Sequence, residues 1–330
     1  MTTKQHLKVI IQILHYGNIN DTLECLESIF KLNYPNYHVL LIDNTDKNTE
    51  PETSLDELYM QGDINLIKTH KNLGFTGGHN FGFNYSLQQG ADYIWVLNND
   101  TVVLPDTLDK LISCIETGEK IGAVTPIIYH FGSDRIQYLA SIIDIKSKQI
   151  TYTKSFNQLD QWKQEKQSFC LWGTALLLRS SMLKEIGVFY EDLFAYYEDT
   201  ELSYRILTNG YLTNIATDAI IYHKHERTDN SLLRKPHFYF YMARNELMYL
   251  KKHSSGLQIL ATYRFCFVNM LDWLAICLRH NNDECATAVL DGFYCACINH
   301  GGPWKNDKHM PKLIGKFLKR FAWPLYRLLN

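Results

Sequence analysis

The stretch WVLNNDTV, residues 95–102, places two amides and a carboxylate directly after an apolar run. The run has the composition of a strand that is buried on both faces of a sheet, and Asn98, Asn99 and Asp100 stand at its end. A second apolar run, HVLLI, ends in Asp43 in the same way. Because ligands of open α/β sheets bind beyond the carboxyl ends of the strands, we predict that both carboxylates face one crevice.

The first half of the chain alternates strand and helix signals. They follow in the order KVIIQIL, DTLECLESIF, HVLLI, INLIK, a glycine-rich segment that leads into a helix, and YIWVL. This order predicts βαβ units around a parallel sheet. Later, IGAVTPIIY and FCLWGTALLLR are predicted strands, and a hairpin and a mobile loop remain alternatives for the polar stretch 146–167 between them. After Pro236 the pattern is mainly helical, so we predict an α/β domain over 1–235 and a helical region over 236–330.

Residues that start and stop helices refine these boundaries. Asp21 is a predicted N-cap, Pro105 opens a helix that ends near Gly118, and Gly90 suits the C′ position of the preceding helix.

Composition excludes several classes of protein. The 330 residues are 46% hydrophobic and carry a formal net charge of -2, which gives a large core and no general attraction for nucleic acid. Eight cysteines lack the spacing of a zinc site, so we expect buried, reduced thiols. The N-terminus MTTKQHLKVI has no signal-peptide core, and FCFVNMLDWLAICL is expected to be too short and interrupted to cross a bilayer. We therefore expect a cytoplasmic protein.

The crevice predicted at the strand ends suits a nucleotide. One acid would accept hydrogen bonds from base or ribose, and the other would hold a divalent cation against a diphosphate. The alternative is that Asp43 and residues 98–100 only form Asx turns. The glycine-rich stretch 72–82 lacks the GxGxxG spacing, so it indicates either a backbone that approaches a ligand closely or a flexible loop before a helix.

Two further groups carry titratable side chains. Glu198, Asp199 and Glu201 are crowded within GVFYEDLFAYYEDTELSYRI, where like charges favour one raised pKa and hence a general base; the alternative is an acidic first helical turn. His223 follows the apolar run AIIY, where a structural histidine and a metal ligand are both consistent with the pattern.

Together these residues resemble glycosyltransferase family 2, the inverting nucleotide-sugar transferases of GT-A fold, and especially its rhamnosyl- and galactofuranosyl-transferring members. The resemblance covers roughly residues 7 to 250. Its motifs occur in the family's order: HYGN, LLIDN, NLGFTGGHN, VLNNDT, WGTALLLR, GVFYEDLFAYYEDTELSYR, IIYH and YMARNEL.

The resemblance assigns roles residue by residue. Asp100 and His223 would bind Mg²⁺ or Mn²⁺, and Asn98 replaces the first acid of the family's DxD motif. The expected nucleotide-sugar contacts are Tyr16, Asp43, Asn72, Gly77, Gly78, Asn98, Asn99 and Asp100. Asp199 would be the catalytic base. The expected neighbours of the sugar and acceptor are Trp172, Gly173 and Glu198.

The function that follows is inverting transfer of a sugar from a UDP- or dTDP-linked donor. The acceptor would be a hydroxyl of a glycan or lipid-linked glycan in bacterial surface polysaccharide synthesis. A sugar-phosphate nucleotidyltransferase is a second interpretation, although LHYGNIN lacks the basic glycine-rich loop of that class. A catalytically inert carbohydrate-binding protein of the same fold is a third.

The C-terminal segment 311–330 has a charge bias of its own. From Pro303 onwards seven basic residues accompany one acid, Asp307, and apolar residues recur at helical spacing. The segment is a predicted basic amphipathic helix, which either contacts the cytoplasmic face of a membrane or packs its apolar side on the protein.

Overall fold

The computed structural model describes residues 6–46, 64–224 and 234–329. Its strands are β1 (Val9–His15), β2 (Tyr37–Asp43), β3 (Ile64–Lys68), β4 (Tyr93–Asn98), β5 (Thr101–Val103), β6 (Ile121–His130), β7 (Ile136–Tyr138), β8 (Ala140–Ile143), β9 (Ile150–Thr153), β10 (Ala175–Arg179) and β11 (Leu212–His223). Its helices are α1 (Ile19–Ile29), α2 (Gly74–Gln88), α3 (Thr107–Ile115), α4 (Phe156–Gln164), α5 (Ser180–Ile186), α6 (Glu198–Thr208), α7 (Pro236–Lys252), α8 (Gln258–Arg279), α9 (Asp283–Cys297) and α10 (Lys312–Leu329).

The central sheet is mixed and runs in the order β3-β2-β1-β4-β10-β6-β11-β5, with β7 paired to β6. β1 lies between β2 and β4 and is parallel to both, so the strand order reverses beside it. β10 is antiparallel to β4 and β6, and β5 is antiparallel to β11. The reversal beside β1 places the carboxyl ends of three neighbouring strands at one edge, as a ligand site requires.

The core forms where these strands are apolar on both faces. β1 is buried along its whole length, and Trp95 of β4 is fully buried. Glycines let α2 approach the sheet closely: a Cβ at Gly78 would lie 2.4 Å from Leu14 Cδ1, and one at Gly82 would lie 2.4 Å from Ile42 Cδ1. These glycines are helical and packed, so the loop predicted for stretch 72–82 ends at Leu73.

Several predicted boundaries differ from the structure. The N-cap of α1 is Asn18, whose side chain accepts a hydrogen bond from Asn20 N at 3.0 Å, so Asp21 lies inside the first turn. α3 begins after Pro105, at Thr107, and ends at Ile115. Gly90 follows the C-cap of α2 with φ of 70°, as predicted for C′. Within the polar stretch 146–167 the structure has a hairpin strand, β9, and the helix α4.

The chain divides into two compact units. The sheet unit contains the described residues up to Tyr190 and those from Asp199 to the end of β11. The helical unit contains Glu191–Glu198 and the described residues 234–329. The predicted helical character of the region after Pro236 is confirmed by α7 to α10, and the domain boundary at 235 stays a prediction.

α8 contains the run FCFVNMLDWLAICL and is longer than it, so the expectation that this segment is too short to cross a bilayer is wrong by length. Its 22 residues make it long and apolar enough to cross a membrane by length and composition, although 33% of its most apolar 18-residue window is buried inside the protein. It packs against α7, α9 and α10, as a core helix of the helical unit does.

The cysteines are all free thiols. Six are buried, as expected, but Cys114 is half-buried and Cys297 is exposed, so the prediction of burial is wrong at these two positions.

Candidate active site

The carboxyl ends of β1, β2 and β4 bring the first group of site residues together. Sheet register sets His15 opposite Asp43 and Leu14 opposite Asn98. Tyr16 follows directly and is 58% exposed, so its ring is accessible at this edge. Two of the predicted nucleotide contacts, Asp43 and Asn98, therefore end strands on either side of β1.

Asp43 is buried and forms a local turn. Its Oδ1 accepts hydrogen bonds from Thr45 N at 3.1 Å and Thr45 Oγ1 at 2.7 Å. The Asx-turn interpretation is thus correct for the local geometry. The turn uses Oδ1 of Asp43, and a carboxylate accepts hydrogen bonds at both of its oxygens. The predicted contact of Asp43 with a nucleobase stays a prediction.

Thr22 links two elements of this edge and was missed from the sequence. Its hydroxyl oxygen accepts a hydrogen bond from Asn99 Nδ2 at 2.9 Å and lies 2.8 Å from His15 Nδ1. Burial lowers the pKa of His15, and the nearby Asp43 charge opposes this shift. A neutral imidazole can accept the Thr22 proton at Nδ1, so Thr22 holds Asn99 against the end of β1.

Asn72, Gly77 and Gly78 shape the start of α2. Asn72 Oδ1 accepts hydrogen bonds from Gly74 N at 2.9 Å and from Asn44 Nδ2 at 3.3 Å. Gly77 and Gly78 are buried one turn further on. These contacts tie the start of α2 to the end of β2, and the predicted role of the three residues in a donor pocket stays a prediction.

Asp100 and His223 meet although 123 residues separate them in the chain. Thr101 of β5 pairs with His223 of β11, which brings Asp100 Oδ1 to 3.0 Å from His223 Nε2. His223 Nδ1 lies 2.8 Å from Gln137 Oε1, a contact that fixes the orientation of the ring. Carboxylate and imidazole are ligands that Mn²⁺ accepts, and an outer partner on the second nitrogen is typical of a metal-binding histidine.

Asp100 and His223 fit a cation whose remaining ligands would be diphosphate and water. Within the described ranges, no cluster of three or more histidine, cysteine, aspartate or glutamate side chains could hold a metal ion. Mg²⁺ and its relatives are commonly held by one or two protein ligands together with substrate phosphates, so a site of two protein ligands is consistent with that use.

Asp199 is the second residue of α6 and is held on both oxygens. Its Oδ2 accepts a hydrogen bond from Gly173 N at 2.9 Å, and its Oδ1 accepts one from Thr200 N at 2.6 Å. Burial raises the pKa of Asp199, and these hydrogen bonds only partly oppose the shift. A half-buried carboxylate with a raised pKa is a stronger base than an ordinary aspartate, which suits proton abstraction.

Trp172, Gly173 and Glu198 are the residues predicted to lie beside the sugar and acceptor. Gly173 contacts Asp199 directly, and the ring of Trp172 stacks on Tyr138 with centroids 4.5 Å apart. Glu198 is the first residue of α6 and is buried. Burial, with the Glu198 charge as a second cause, raises the pKa of the Tyr196 hydroxyl.

The chain belongs to glycosyltransferase family 2. The model of that family, described as Glycosyl transferase family 2, matches residues 10–187, more than half of the chain. The matched residues begin at the second residue of β1 and extend past β10, so they contain both the strand-end cluster and Asp100.

Individual relatives agree with this assignment. The chain is 25% identical over 233 residues to the dTDP-rhamnosyl transferase RfbF of Shigella flexneri, covering 68% of this chain and 74% of the relative. It is 24% identical over 204 residues to a poly-beta-1,6-N-acetyl-D-glucosamine synthase of Staphylococcus epidermidis, covering 61% of this chain and 46% of the synthase.

Solved structures show the same fold. A mannosyltransferase from Pyrobaculum calidifontis, in complex with GDP-Man and Mn²⁺, superposes with a TM-score of 0.56 at 13% identity and covers 98% of this chain and 83% of its own. TarS 1-349 of S. aureus, in complex with UDP-GlcNAc, gives a TM-score of 0.58 at 14% identity and covers 98% and 90%. The predicted GT-A fold with a helical C-terminal region is confirmed.

Proposed function

We propose that this protein is a metal-dependent, inverting glycosyltransferase of polysaccharide synthesis. It takes a sugar from a UDP- or dTDP-linked donor and passes it to a hydroxyl of a glycan or lipid-linked glycan. The observation that carries the proposal is that one sheet unit contains both the Asp100–His223 pair and Asp199, whose pKa is raised by burial. The rhamnosyl transferase and the glucosamine-polymer synthase among its relatives support the substrate class.

On the donor side, the strand-end residues bind the nucleotide. Asp43 and Tyr16 stand at the ends of β2 and β1, where base and ribose would lie. Asp100 and His223 would hold Mg²⁺ or Mn²⁺, which supplies electrostatic stabilisation to the negative charge that gathers on the departing diphosphate. Gln137 and Thr22 keep His223 and Asn99 in place.

On the acceptor side, one carboxylate is sufficient. Asp199 accepts the proton of the attacking hydroxyl while the new glycosidic bond forms and the bond to the diphosphate breaks. The attack comes from the face opposite the diphosphate, so the anomeric configuration inverts. Gly173 N and Thr200 N hold the carboxylate still, and Trp172 offers an aromatic face beside it.

The proposed function is tested first by a donor screen. We expect Mn²⁺-dependent hydrolysis of dTDP-rhamnose or UDP-N-acetylglucosamine, measured as release of the nucleoside diphosphate. Binding of nucleoside diphosphates without turnover of any sugar donor would instead favour the inert carbohydrate-binding protein.

The metal site gives a separate prediction. Asp100→Ala and His223→Ala should each weaken binding of dTDP or UDP in the presence of Mn²⁺ by about tenfold or more, since even outer partners of metal ligands have effects of that size. Calorimetric titration measures the affinity with Mn²⁺ and again with EDTA, where parent and variants should agree. Asp92→Asn, at the amino end of β4, is the control that keeps the parental affinity. Equal affinities of parent and both variants in Mn²⁺ would exclude this pair as the metal site.

α10 supports the proposal that the protein docks on a membrane surface. Gly315, Leu318 and Ala322 are buried and form the side of α10 that packs on α8 and α9. A second side of the same helix is apolar and exposed, and it consists of Leu313, Ile314, Phe317, Phe321 and Leu328. The remaining side carries the basic residues Lys312, Lys316, Lys319, Arg320 and Arg327. The helix therefore packs on the protein through a narrow side, and the apolar side that it leaves exposed supports the membrane alternative.

The amino end of α8 extends this uncovered surface. Arg264 Nη2 donates a hydrogen bond to Leu329 O at 2.6 Å, so the first turns of α8 lie beside the end of α10. Leu257 and Leu260, at that end of α8, are also exposed. An apolar surface flanked by cations is complementary to an anionic leaflet, and we propose that it holds the enzyme on the cytoplasmic face of the membrane.

Paired substitutions test this surface without removing α10. Leu313→Glu with Phe317→Glu should weaken binding to vesicles that contain phosphatidylglycerol by roughly 30-fold, since each charge near an anionic surface changes the binding free energy by about 1 kcal/mol. Co-sedimentation measures binding, and donor hydrolysis should not change. Phe156→Glu, an exposed aromatic on α4, is the matched control. Parental binding by the paired variant, or binding that added salt does not weaken, would overturn the proposal.

A further inference from the structure

The segment just before α6 adopts a strained backbone. Phe194, Tyr196 and Tyr197 have φ of 62°, 69° and 70°, in the left-handed region that L-residues with a Cβ avoid. Three such residues among four consecutive ones persist only where neighbouring groups hold them. The segment 192–197 belongs to the helical unit and leads through Glu198 into Asp199 of α6.

Asn245 of α7 holds this segment through its backbone carbonyls. Its Nδ2 lies 2.9 Å from Leu193 O, 2.7 Å from Ala195 O and 2.8 Å from Tyr196 O, and its two hydrogens are shared among these three acceptors. The side chain is completely buried, so water cannot replace these bonds. One side-chain amide therefore binds the three carbonyls that directly precede the left-handed residues.

Arg244 fixes Asn245 and adds contacts of its own. Its Nε donates to Asn245 Oδ1 at 2.8 Å, which requires that the amide nitrogen faces the segment. Its Nη2 donates to Asp192 O at 3.1 Å and to Leu193 O at 2.8 Å. The guanidinium also lies 5.3 Å from the ring centroid of Phe240 and 4.9 Å from that of Tyr241, within the range of cation–π attraction.

We propose that Arg244 and Asn245 are positioning residues for sugar transfer. They hold segment 192–197 in its left-handed conformation and thereby fix the point at which the chain enters α6. The proposal rests on the proposed role of Asp199 as the base, which stands two residues beyond Tyr197. It also gives a function to the YMARNEL motif, whose residues do not enter the metal or nucleotide chemistry.

The physical basis is the short covalent path from the segment to the base. Without the bonds from Asn245, the left-handed residues relax towards ordinary backbone angles, and each change in φ and ψ reorients the chain that follows. Placement errors of about 1 Å at a reacting group can reduce turnover by around 100-fold. The nucleotide contacts at the ends of β1 and β2 have no such path to this segment, so nucleotide affinity is expected to stay constant.

The test replaces Asn245 by leucine, which has a similar volume and donates no hydrogen bond. We expect donor hydrolysis by Asn245→Leu to be about 10- to 100-fold slower, with the affinity for dTDP or UDP in Mn²⁺ changed less than about twofold. Amide hydrogen exchange in peptides that cover 192–197 should accelerate. Arg244→Lys keeps the charge but loses the fork of donors, and it should show the same pattern with a smaller change.

Asn282→Ala provides the matched control. Asn282 caps α9 through a hydrogen bond from Cys285 N at 3.0 Å, so its loss destabilises the helical unit without removing a bond to the segment. This control should keep the parental turnover. Parental turnover by Asn245→Leu despite faster exchange would overturn the positioning role, and so would a parallel loss of nucleotide affinity. Parental turnover by Asp199→Asn would instead refute the proposed base and leave the exchange result as the measure of the segment's restraint.

Discussion

Asp199→Asn is expected to lower turnover by about 100- to 10,000-fold, the range that a positioned general base contributes. An amide cannot accept the proton of an attacking hydroxyl, so the variant loses the group that is proposed to act as the base. The affinity for dTDP or UDP in Mn²⁺ should remain at the parental value, because the donor contacts lie at other strand ends. Hydrolysis of the donor found by the screen measures turnover, and calorimetry measures affinity.

Stability distinguishes loss of the base from loss of the fold. The substitution removes a buried negative charge, which favours folding, but it also removes one of the two oxygens that accept from Gly173 N and Thr200 N. We therefore expect a small change in melting temperature. Asp160→Asn, an exposed acid on α4, is the control for removal of a carboxylate. If Asp199→Asn hydrolyses the donor at the parental rate, Asp199 is not the base.

The parental pH profile provides an independent check of the same residue. The pKa of Asp199 is raised from the ordinary value of 3.8 by burial, and the base acts in its ionised form. Turnover should therefore rise with pH through a pKa above the ordinary aspartate range, and this acidic limb should be absent from the residual activity of Asp199→Asn.

The strands that frame the site were predictable because their signal is local. HVLLI and YIWVL are continuous apolar runs, and β2 and β4 contain them in full. FCLWGTALLLR was only half correct, since β10 begins at Ala175. In the first half of that run, Leu171 N donates to Ser203 Oγ and Gly173 N donates to Asp199 Oδ2, so side chains from α6 take the place of a sheet neighbour. No local sequence pattern predicts a side-chain partner of this kind.

The site was predictable only where a residue falls in a motif of the family that the sequence resembles. Asp100 and His223 were expected to share a cation, and the structure brings them together through the pairing of β5 with β11. Thr22 and Gln137 were missed because threonine and glutamine are common surface residues and their partners lie far along the chain. Gln137 reaches His223 across 86 residues, a contact that only the sheet creates.

The strained backbone just before α6 was also not predictable from the sequence. Phe194, Tyr196 and Tyr197 are aromatic residues with ordinary preferences for negative φ, so local propensity predicts an extended or helical backbone there. The left-handed angles follow from Arg244 and Asn245, which lie about 50 residues later. A tertiary contact thus overrides the local preference next to Asp199, the proposed base.

Arg205→Met is expected to lower the free energy of unfolding of the sheet unit by about 3–5 kcal/mol, the cost of removing one partner of a buried ion pair. Arg205 Nη2 lies 2.7 Å from Glu201 Oε2, and its Nε donates to Glu201 Oε1 at 3.1 Å. The Glu201 side chain is 0% exposed, so its carboxylate would lose this cation without gaining water. Arg205 also donates to Ile186 O at 2.8 Å and Val188 O at 2.7 Å, and these bonds are lost as well.

Urea unfolding followed by circular dichroism measures this loss against a matched surface pair. Asp106 and Lys110 are also four residues apart, at the start of α3, and Lys110 Nζ lies 2.7 Å from Asp106 Oδ2. Their side chains, however, are 50% and 36% exposed for Asp106 and Lys110, respectively. Lys110→Met should therefore cost only about 0.3–0.5 kcal/mol. Adding Glu201→Gln to Arg205→Met removes the carboxylate charge that has lost its cation. The double variant should therefore be more stable than Arg205→Met alone. Equal losses from Arg205→Met and Lys110→Met would show that burial of the Glu201–Arg205 pair does not stabilise the sheet unit as argued.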